Sequence, residues 1–189
     1  DYRRLGVISD CIKKHHIYSV SIDHHPYSDS FFDLALVDIA YPATGQMVWD
    51  FLQFNGKSNL SEVQSTALYA ALITDTGSFR YSSTNSESHN MASNLLSCGT
   101  KPYKVYESIY ERRSKEQINL LSKAINNLNF YYNGIICGSI ITKRMQDDVG
   151  ANPSHVEGFT DFFRSINKVE VAFCIIEQEK NIRMNFRSR

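Results

Sequence analysis

The chain has 189 residues, 42% of them hydrophobic, enough to bury the core of one large domain or of two small ones. Lys and Arg together number 20, as do Asp and Glu, so the formal net charge is zero. A protein that grips long duplex DNA carries a basic excess, so this balance argues against one and suits small substrates or short strands held locally.

The cysteines, at 11, 98, 137 and 174, form no CxxC pair. Their spacing argues against a zinc site or a dense disulfide framework and predicts four buried or half-buried thiols in a reducing compartment. No apolar run approaches the roughly 20 residues that span a bilayer. The opening Asp1-Tyr2-Arg3-Arg4 lacks the apolar stretch of a signal peptide, so a cytoplasmic protein is expected. There is no initiator Met, and the chain stops on Phe186-Arg187-Ser188-Arg189, which reads as strand, so both ends are expected to be cut.

In chain order, residues 5–14 predict a short helix, and residues 17–22 an apolar strand that runs into Asp23-His24-His25-Pro26. Residues 34–37 predict a second strand. Past Pro42, the residues Met47, Val48, Phe51 and Leu52 recur at helical spacing. Ser61 with Gln64 forms a capping box that opens an Ala-rich helix ending near Thr74-Asp75-Thr76-Gly77. Thr84 with Glu87 reads as a second box, and Gly99 as the stop of the helix it opens. Residues 106–128 predict one helix, with a third box at Ser114 and Gln117. Its apolar stripe of Ile118, Leu121, Ile125 and Leu128 is expected to pack in the core. Asn133-Gly134 between apolar runs signals a hairpin. Residues 155–166 predict helix, and 169–176 with 182–186 a second hairpin around Glu179-Lys180-Asn181.

Alternating strands and helices imply a parallel sheet, whereas hairpins with helices imply an α+β module. The expected fold class is therefore α/β, with a parallel-sheet domain over 1–105, a linker helix over 106–118 and a smaller α+β domain over 119–189.

The chemistry concentrates in Asp23-His24-His25, at the carboxyl end of a strand, the edge where open α/β sheets bind ligands. Three adjacent titratable groups there are costly unless something satisfies them. Neighbouring side chains on an extended segment point opposite ways, so one imidazole can bind a metal while the other faces a different partner. Carboxylates with an imidazole suit a hard divalent ion, Mn²⁺ ahead of Mg²⁺ because of the nitrogen. Asp75 is a second candidate, with Gly77 allowing a tight turn behind it and Arg80 able to clamp a phosphate oxygen. Taken alone, Asp75 reads equally as the start of an Asx turn. Arg187 and Arg189 lie two apart and share a strand face suited to phosphate or carboxylate, with a solvated face as the plain alternative. His15 and His16 read as a solvated turn, His89 as surface, and His155 as part of a helix start.

Three stretches together resemble the DHH phosphoesterase family: Ser21-Ile22-Asp23-His24-His25-Pro26, the segment from Ala71 to Arg80, and the run from Glu157-Gly158-Phe159 to Phe186-Arg187-Ser188-Arg189. Within the family, the order and spacing resemble the oligoribonuclease and 3′-phosphoadenosine 5′-phosphate phosphatase branch over nearly the whole chain. The resemblance implies two Mn²⁺ ions, with His24 and Asp75 among their ligands. It implies His25 at the scissile phosphate, Asp23 as the orienter of His25, and Arg187 with Ser188 gripping the far phosphate from a DHH-associated substrate-binding domain. It further implies an HxDxD segment and a bridging Asp before Asp1, and a GGGH segment after Arg189. The fragment is therefore expected to keep two ligands of a larger site and to be inactive by itself.

The activity so implied is hydrolysis of short oligoribonucleotides and small nucleotides, such as 3′-phosphoadenosine 5′-phosphate or linear dinucleotides. The rivals are a pyrophosphatase or exopolyphosphatase of the same superfamily and a non-catalytic nucleotide-binding module. The superfamily's pyrophosphatases usually carry Asn where His25 stands. Tyr103, Tyr106 and Tyr110 offer a homodimer face, with core packing as the alternative.

Overall fold

The computed structural model describes residues 2–26, 31–57 and 59–188. The chain forms two compact units, Asp1–Glu111 and Arg112–Arg189.

In the first unit a 3-10 turn at Tyr2–Leu5 leads into helix α1, Val7–His15. Strand β1, Val20–Asp23, pairs in parallel with β2, Leu34–Val37, with Val20 opposite Leu34 and Asp23 opposite Val37. The parallel sheet read from the sequence is this pair. β1 starts three residues later than the apolar run because Asp33 clamps its entrance: Oδ2 accepts from Ser19 N at 2.7 Å and from Ser19 Oγ at 3.0 Å.

Helices α2 (Thr44–Phe54), α3 (Glu62–Asp75), α4 (Ser86–Ser97) and α5 (Pro102–Tyr110) follow. Their shared core holds Trp49, Tyr69, Leu72, Ile73, Met91, Leu95 and Val105. Helices α2 and α3 touch at Gly45, where an added Cβ would stand 2.8 Å from that of Ala71. The capping box of α3 is complete: Gln64 N–H donates to Ser61 Oγ at 3.3 Å and Ser61 N–H to Gln64 Oε1 at 3.0 Å. That of α4 is one residue later than the sequence suggested. Asn85, not Thr84, caps it, accepting from Ser88 N at 2.9 Å, since an Asn carbonyl reaches the exposed N–H groups as well as any side chain does. Gly99 follows the helix end with φ 99°, the left-handed residue expected there.

The helix expected over 106–128 is two helices. Helix α5 ends at Tyr110, and α6 runs Lys115–Asn126 in the second unit. Ser114 accepts from Gln117 N at 3.2 Å and so starts a new helix, but the Gln117 side chain donates to Glu157 O instead of back to Ser114. Leu120 and Ala124 are the buried residues of α6, with Leu121 and Leu128 packed beside them; Ile118 and Ile125 are exposed. Periodicity marks an apolar side of a helix but not which of two adjoining stripes meets the sheet.

The second unit continues with β3 (Asn129–Tyr131), β4 (Ile136–Ile141), the short helices α7 (Lys143–Asp147) and α8 (Phe159–Arg164), β5 (Val171–Glu177) and β6 (Ile182–Ser188). Its sheet has the order β3-β4-β5-β6, antiparallel at both edges and parallel between β4 and β5. Both expected hairpins are present. Helix α7 has no counterpart among the expected elements; Thr142 caps it, accepting from Met145 N at 3.2 Å. The helix expected over 155–166 is interrupted, because Gly158 takes φ 82° between a 3-10 turn at Pro153–Val156 and α8. Phe159 and Phe163 of α8 fill the core with Leu120, Ile141, Val169 and Ile176. Among the described residues, no helix is long and apolar enough to cross a membrane.

Candidate active site

Strand β1 ends on Asp23, and the ladder goes one step further because Asp38 N–H donates to Asp23 O at 3.1 Å. The chain then turns tightly. Ala40 N–H donates to Asp38 Oδ1 at 2.9 Å and Tyr41 N–H to Asp38 O at 3.3 Å, which brings the Tyr41 carbonyl to 3.1 Å from His24 Nδ1. A carbonyl oxygen only accepts, so the proton of this bond sits on Nδ1. The other nitrogen, Nε2, lies 3.5 Å from Oδ2 of Asp75, the last residue of α3. The His24 side chain is 17% exposed and that of Asp75 38%.

The His25 ring does not point away from that of His24, as an extended segment would have it, because the chain bends once β1 has ended. His25 Nδ1 lies 2.7 Å from Asp23 Oδ1, and its backbone N–H donates to the same oxygen at 3.1 Å. A carboxylate accepts, so Nδ1 again carries the proton and Nε2 is left outward on a side chain 56% exposed. Burial pushes the Asp23 carboxyl up, but the bonds from the His25 ring and backbone outweigh it and hold the group below its ordinary range. The two imidazoles meet edge to face with ring centres 4.5 Å apart. Asp23, His24 and His25 each offer a ligand atom within 4.8 Å of the others. Within that trio, Asp23 and His25 are already engaged with each other.

Behind Asp75 the chain makes a left-handed turn, with φ of 55°, 58° and 65° at Gly77, Ser78 and Phe79. It is held tightly. Buried Thr76 donates its hydroxyl to Leu72 O at 2.7 Å and accepts from Phe79 N at 3.1 Å, while Ser78 N–H donates to Ile73 O at 2.7 Å. Arg80 Nε–H donates to Gly77 O at 2.8 Å, so the guanidinium is anchored at one edge and its side chain stays exposed.

Arg187 and Ser188 lie near the end of β6 in the second unit, both exposed. Arg187 Nε is 3.4 Å from Asp161 Oδ1 on α8, and Nη1–H donates to Phe186 O at 3.0 Å. The expected pairing of Arg187 with Arg189 lies outside the described residues. His155 serves the turn before α8, where its Nδ1 accepts from Asn152 N at 3.1 Å, and His89 is exposed with its ring stacked on Phe79. Cys11 is exposed, against expectation; Cys98 is half-buried and Cys137 and Cys174 are buried. Asp38 and Tyr41 have no counterpart in the sequence reading. The one available signal was Asp at a strand end, three residues before Tyr41-Pro42.

No family model matches the chain. Proteins named bifunctional oligoribonuclease and PAP phosphatase NrnA are similar to it. The one from Thermus thermophilus is 26% identical over 172 residues, covering 91% of this chain and 51% of that protein. The one from Bacillus subtilis is 24% identical over 173 residues, covering 90% and 54%. An exopolyphosphatase-related protein from Bacteroides fragilis has a solved structure that superposes with a TM-score of 0.94 at 25% identity, covering 100% of this chain and 56% of that one.

The chain is similar to DHH phosphoesterases of the NrnA type. The tripeptide for which those proteins are named is Asp23-His24-His25 here, with Asp23 the last residue of β1. The chain spans about half the length of the curated relatives it matches.

Proposed function

We propose that the chain forms part of a divalent-metal phosphoesterase, with Mn²⁺ as the ion, that hydrolyses short oligoribonucleotides and small nucleotides such as 3′-phosphoadenosine 5′-phosphate in the cytoplasm. One observation carries the reading: His24 Nε2 faces Asp75 Oδ2 at 3.5 Å while Nδ1 is spent on the Tyr41 carbonyl. A lone pair and a carboxylate turned toward each other are two acceptors, and a cation satisfies both. The residues fit a divalent ion held by one nitrogen and carboxylate oxygen, with His24 and Asp75 as its ligands in this chain. A bound divalent ion supplies Lewis acidity and lowers the pKa of a coordinated water.

The protein groups then divide the remaining work. Tyr41 O fixes which ring nitrogen of His24 is free. Asp23 holds Nδ1–H of His25, and in the imidazolium form Nε2 carries a second proton that it donates to a phosphoryl oxygen, stabilising charge growing there. Arg80, tied to Gly77 O through Nε, keeps its two terminal nitrogens for a phosphate oxygen. Arg187 and Ser188 are assigned to substrate binding, which requires Arg187 to leave Asp161.

The likeness to an exopolyphosphatase-related protein favours a second reading, hydrolysis of inorganic pyrophosphate or polyphosphate. The test uses the full-length protein with Mn²⁺ and compares short oligoribonucleotides, 3′-phosphoadenosine 5′-phosphate and pyrophosphate. Mononucleotide and phosphate release that His24→Ala abolishes is the expected result. Turnover of pyrophosphate alone supports the second reading. Nucleotide binding without hydrolysis makes the protein a binding module, and unchanged turnover in His24→Ala removes the metal role.

A further inference from the structure

Asp38 is exposed and takes part in no ion pair among the described residues, and three hydrogen bonds meet on it. Its N–H donates to Asp23 O at 3.1 Å, its carboxylate accepts from Ala40 N at 2.9 Å, and its carbonyl accepts from Tyr41 N at 3.3 Å. The first bond ties the turn to the strand that carries the tripeptide. The second is an Asx-type closure, an arrangement in which a short carboxylate or carboxamide mimics a backbone carbonyl. The third sets the direction of the Tyr41 peptide. Pro42 adds to this by disfavouring helical backbone at Tyr41. The Tyr41 carbonyl ends 3.1 Å from His24 Nδ1.

We propose that Asp38 is a positioning residue for His24: by closing the turn over residues 38–41 it aims the Tyr41 carbonyl at Nδ1, and so dictates that Nε2 is the unprotonated nitrogen facing Asp75. A neutral imidazole in water distributes its proton between both nitrogens, so a site that needs a lone pair at Nε2 loses affinity whenever the proton sits there. A carbonyl held at Nδ1 removes that competing form before any ligand arrives. The contribution is geometric. It depends on an acceptor oxygen at the Oδ1 position that Asp and Asn share, and not on negative charge. The step from tautomer to metal affinity rests on the proposed reading of His24 as a ligand; the tautomer itself does not.

The experiment compares Asp38→Asn with Asp38→Glu in the full-length protein. The first keeps the short acceptor and drops the charge; the second keeps the charge and lengthens the arm. In metal-free protein carrying isotope-labelled histidine, long-range proton–nitrogen correlations at alkaline pH report which ring nitrogen of His24 is protonated, with His24→Gln identifying the signal. Mn²⁺ titration then gives the affinity. The wild type and Asp38→Asn are expected to show one form protonated at Nδ1 with Mn²⁺ affinities within a factor of about two. Asp38→Glu is expected to show a mixture of forms and Mn²⁺ binding weakened about tenfold, the low end for loss of a group that orients a ligand. A pure Nδ1–H form in Asp38→Glu overturns the proposal, as does impairment of Asp38→Asn with Asp38→Glu unaffected. If the tautomers behave as expected but His24→Gln binds Mn²⁺ as tightly as wild type, the positioning role stands and the metal reading of His24 fails.

Discussion

Nε2 of His24, on the loop that leaves β1, and Oδ2 of Asp75, at the end of α3, face each other at 3.5 Å, and neither has the other as a hydrogen-bond donor unless the imidazole is charged. If one ion joins them, their effects on it are not independent. His24→Ala and Asp75→Asn are each expected to weaken Mn²⁺ binding by at least about tenfold, the loss typical of a disturbed metal site. The double variant should be little worse than the weaker single. Isothermal titration of the four proteins checks this, and full additivity would separate the two residues.

Asp23→Asn leaves an acceptor beside His25 but removes the charge and allows the amide to present its NH₂ group instead. On the proposed activity, the full-length protein is expected to lose on the order of a hundredfold in kcat, the usual scale for a mispositioned acid–base or charge-stabilising group, at nearly constant KM. A change confined to KM would place His25 away from the reacting phosphate.

Gly77 and Gly45 should both resist Ala, for different reasons. At Gly77 the backbone has φ 55°, so an L side chain costs about 1–2 kcal/mol, while the Tyr81 ring in its way is exposed enough to swing aside. At Gly45 the obstacle is the Ala71 Cβ at 2.8 Å on a packed helix, and α2 must separate from α3, at about 1–3 kcal/mol. Chemical denaturation should show both losses. Only Gly77→Ala is expected to perturb Asp75 and Arg80.

The thiols should divide by place. Cys11 is expected to react rapidly with a thiol reagent in the native protein, and Cys137 and Cys174 only after unfolding. Burial pushes the Cys174 thiol up to about 11, partly offset by its bond with Thr160, and burial also raises Cys137. A thiol raised in the folded state favours folding fully below the unfolded pKa of about 8.5. That contribution falls away as pH climbs toward about 11, because the unfolded chain ionises first. Stability measured across this window should decline less in Cys174→Ala than in the wild type.

What the sequence disclosed follows the range of the forces involved. The Ser61–Gln64 box and the Asn133-Gly134 hairpin are local chemistry and stand in the structure as read. Thr84–Glu87 obeys the same pattern, but Asn85 with Ser88 offers a competing box one residue along. Helix α7 spans five residues, too few for periodicity to mark. In the site, Asp23, His24, His25 and Asp75 were visible as residue types. The group that orders His24 is a main-chain carbonyl, for which Tyr41 gives no side-chain signal. The bond between Arg187 and Asp161 depends on α8 crossing β6, which no local pattern encodes.

Asp75 occupies the worst place on α3 for an acid. The unpaired carbonyls of a helix's last turn carry about half a negative charge, and a carboxylate among them is opposed by about 0.3–1 kcal/mol. Without a counter-charge the end of α3 therefore works against the fold, and a divalent cation at His24 and Asp75 would relieve the repulsion as well as bind. Chelation should then lower the melting temperature of the wild type, whereas Asp75→Asn should melt higher than chelated wild type and ignore the chelator.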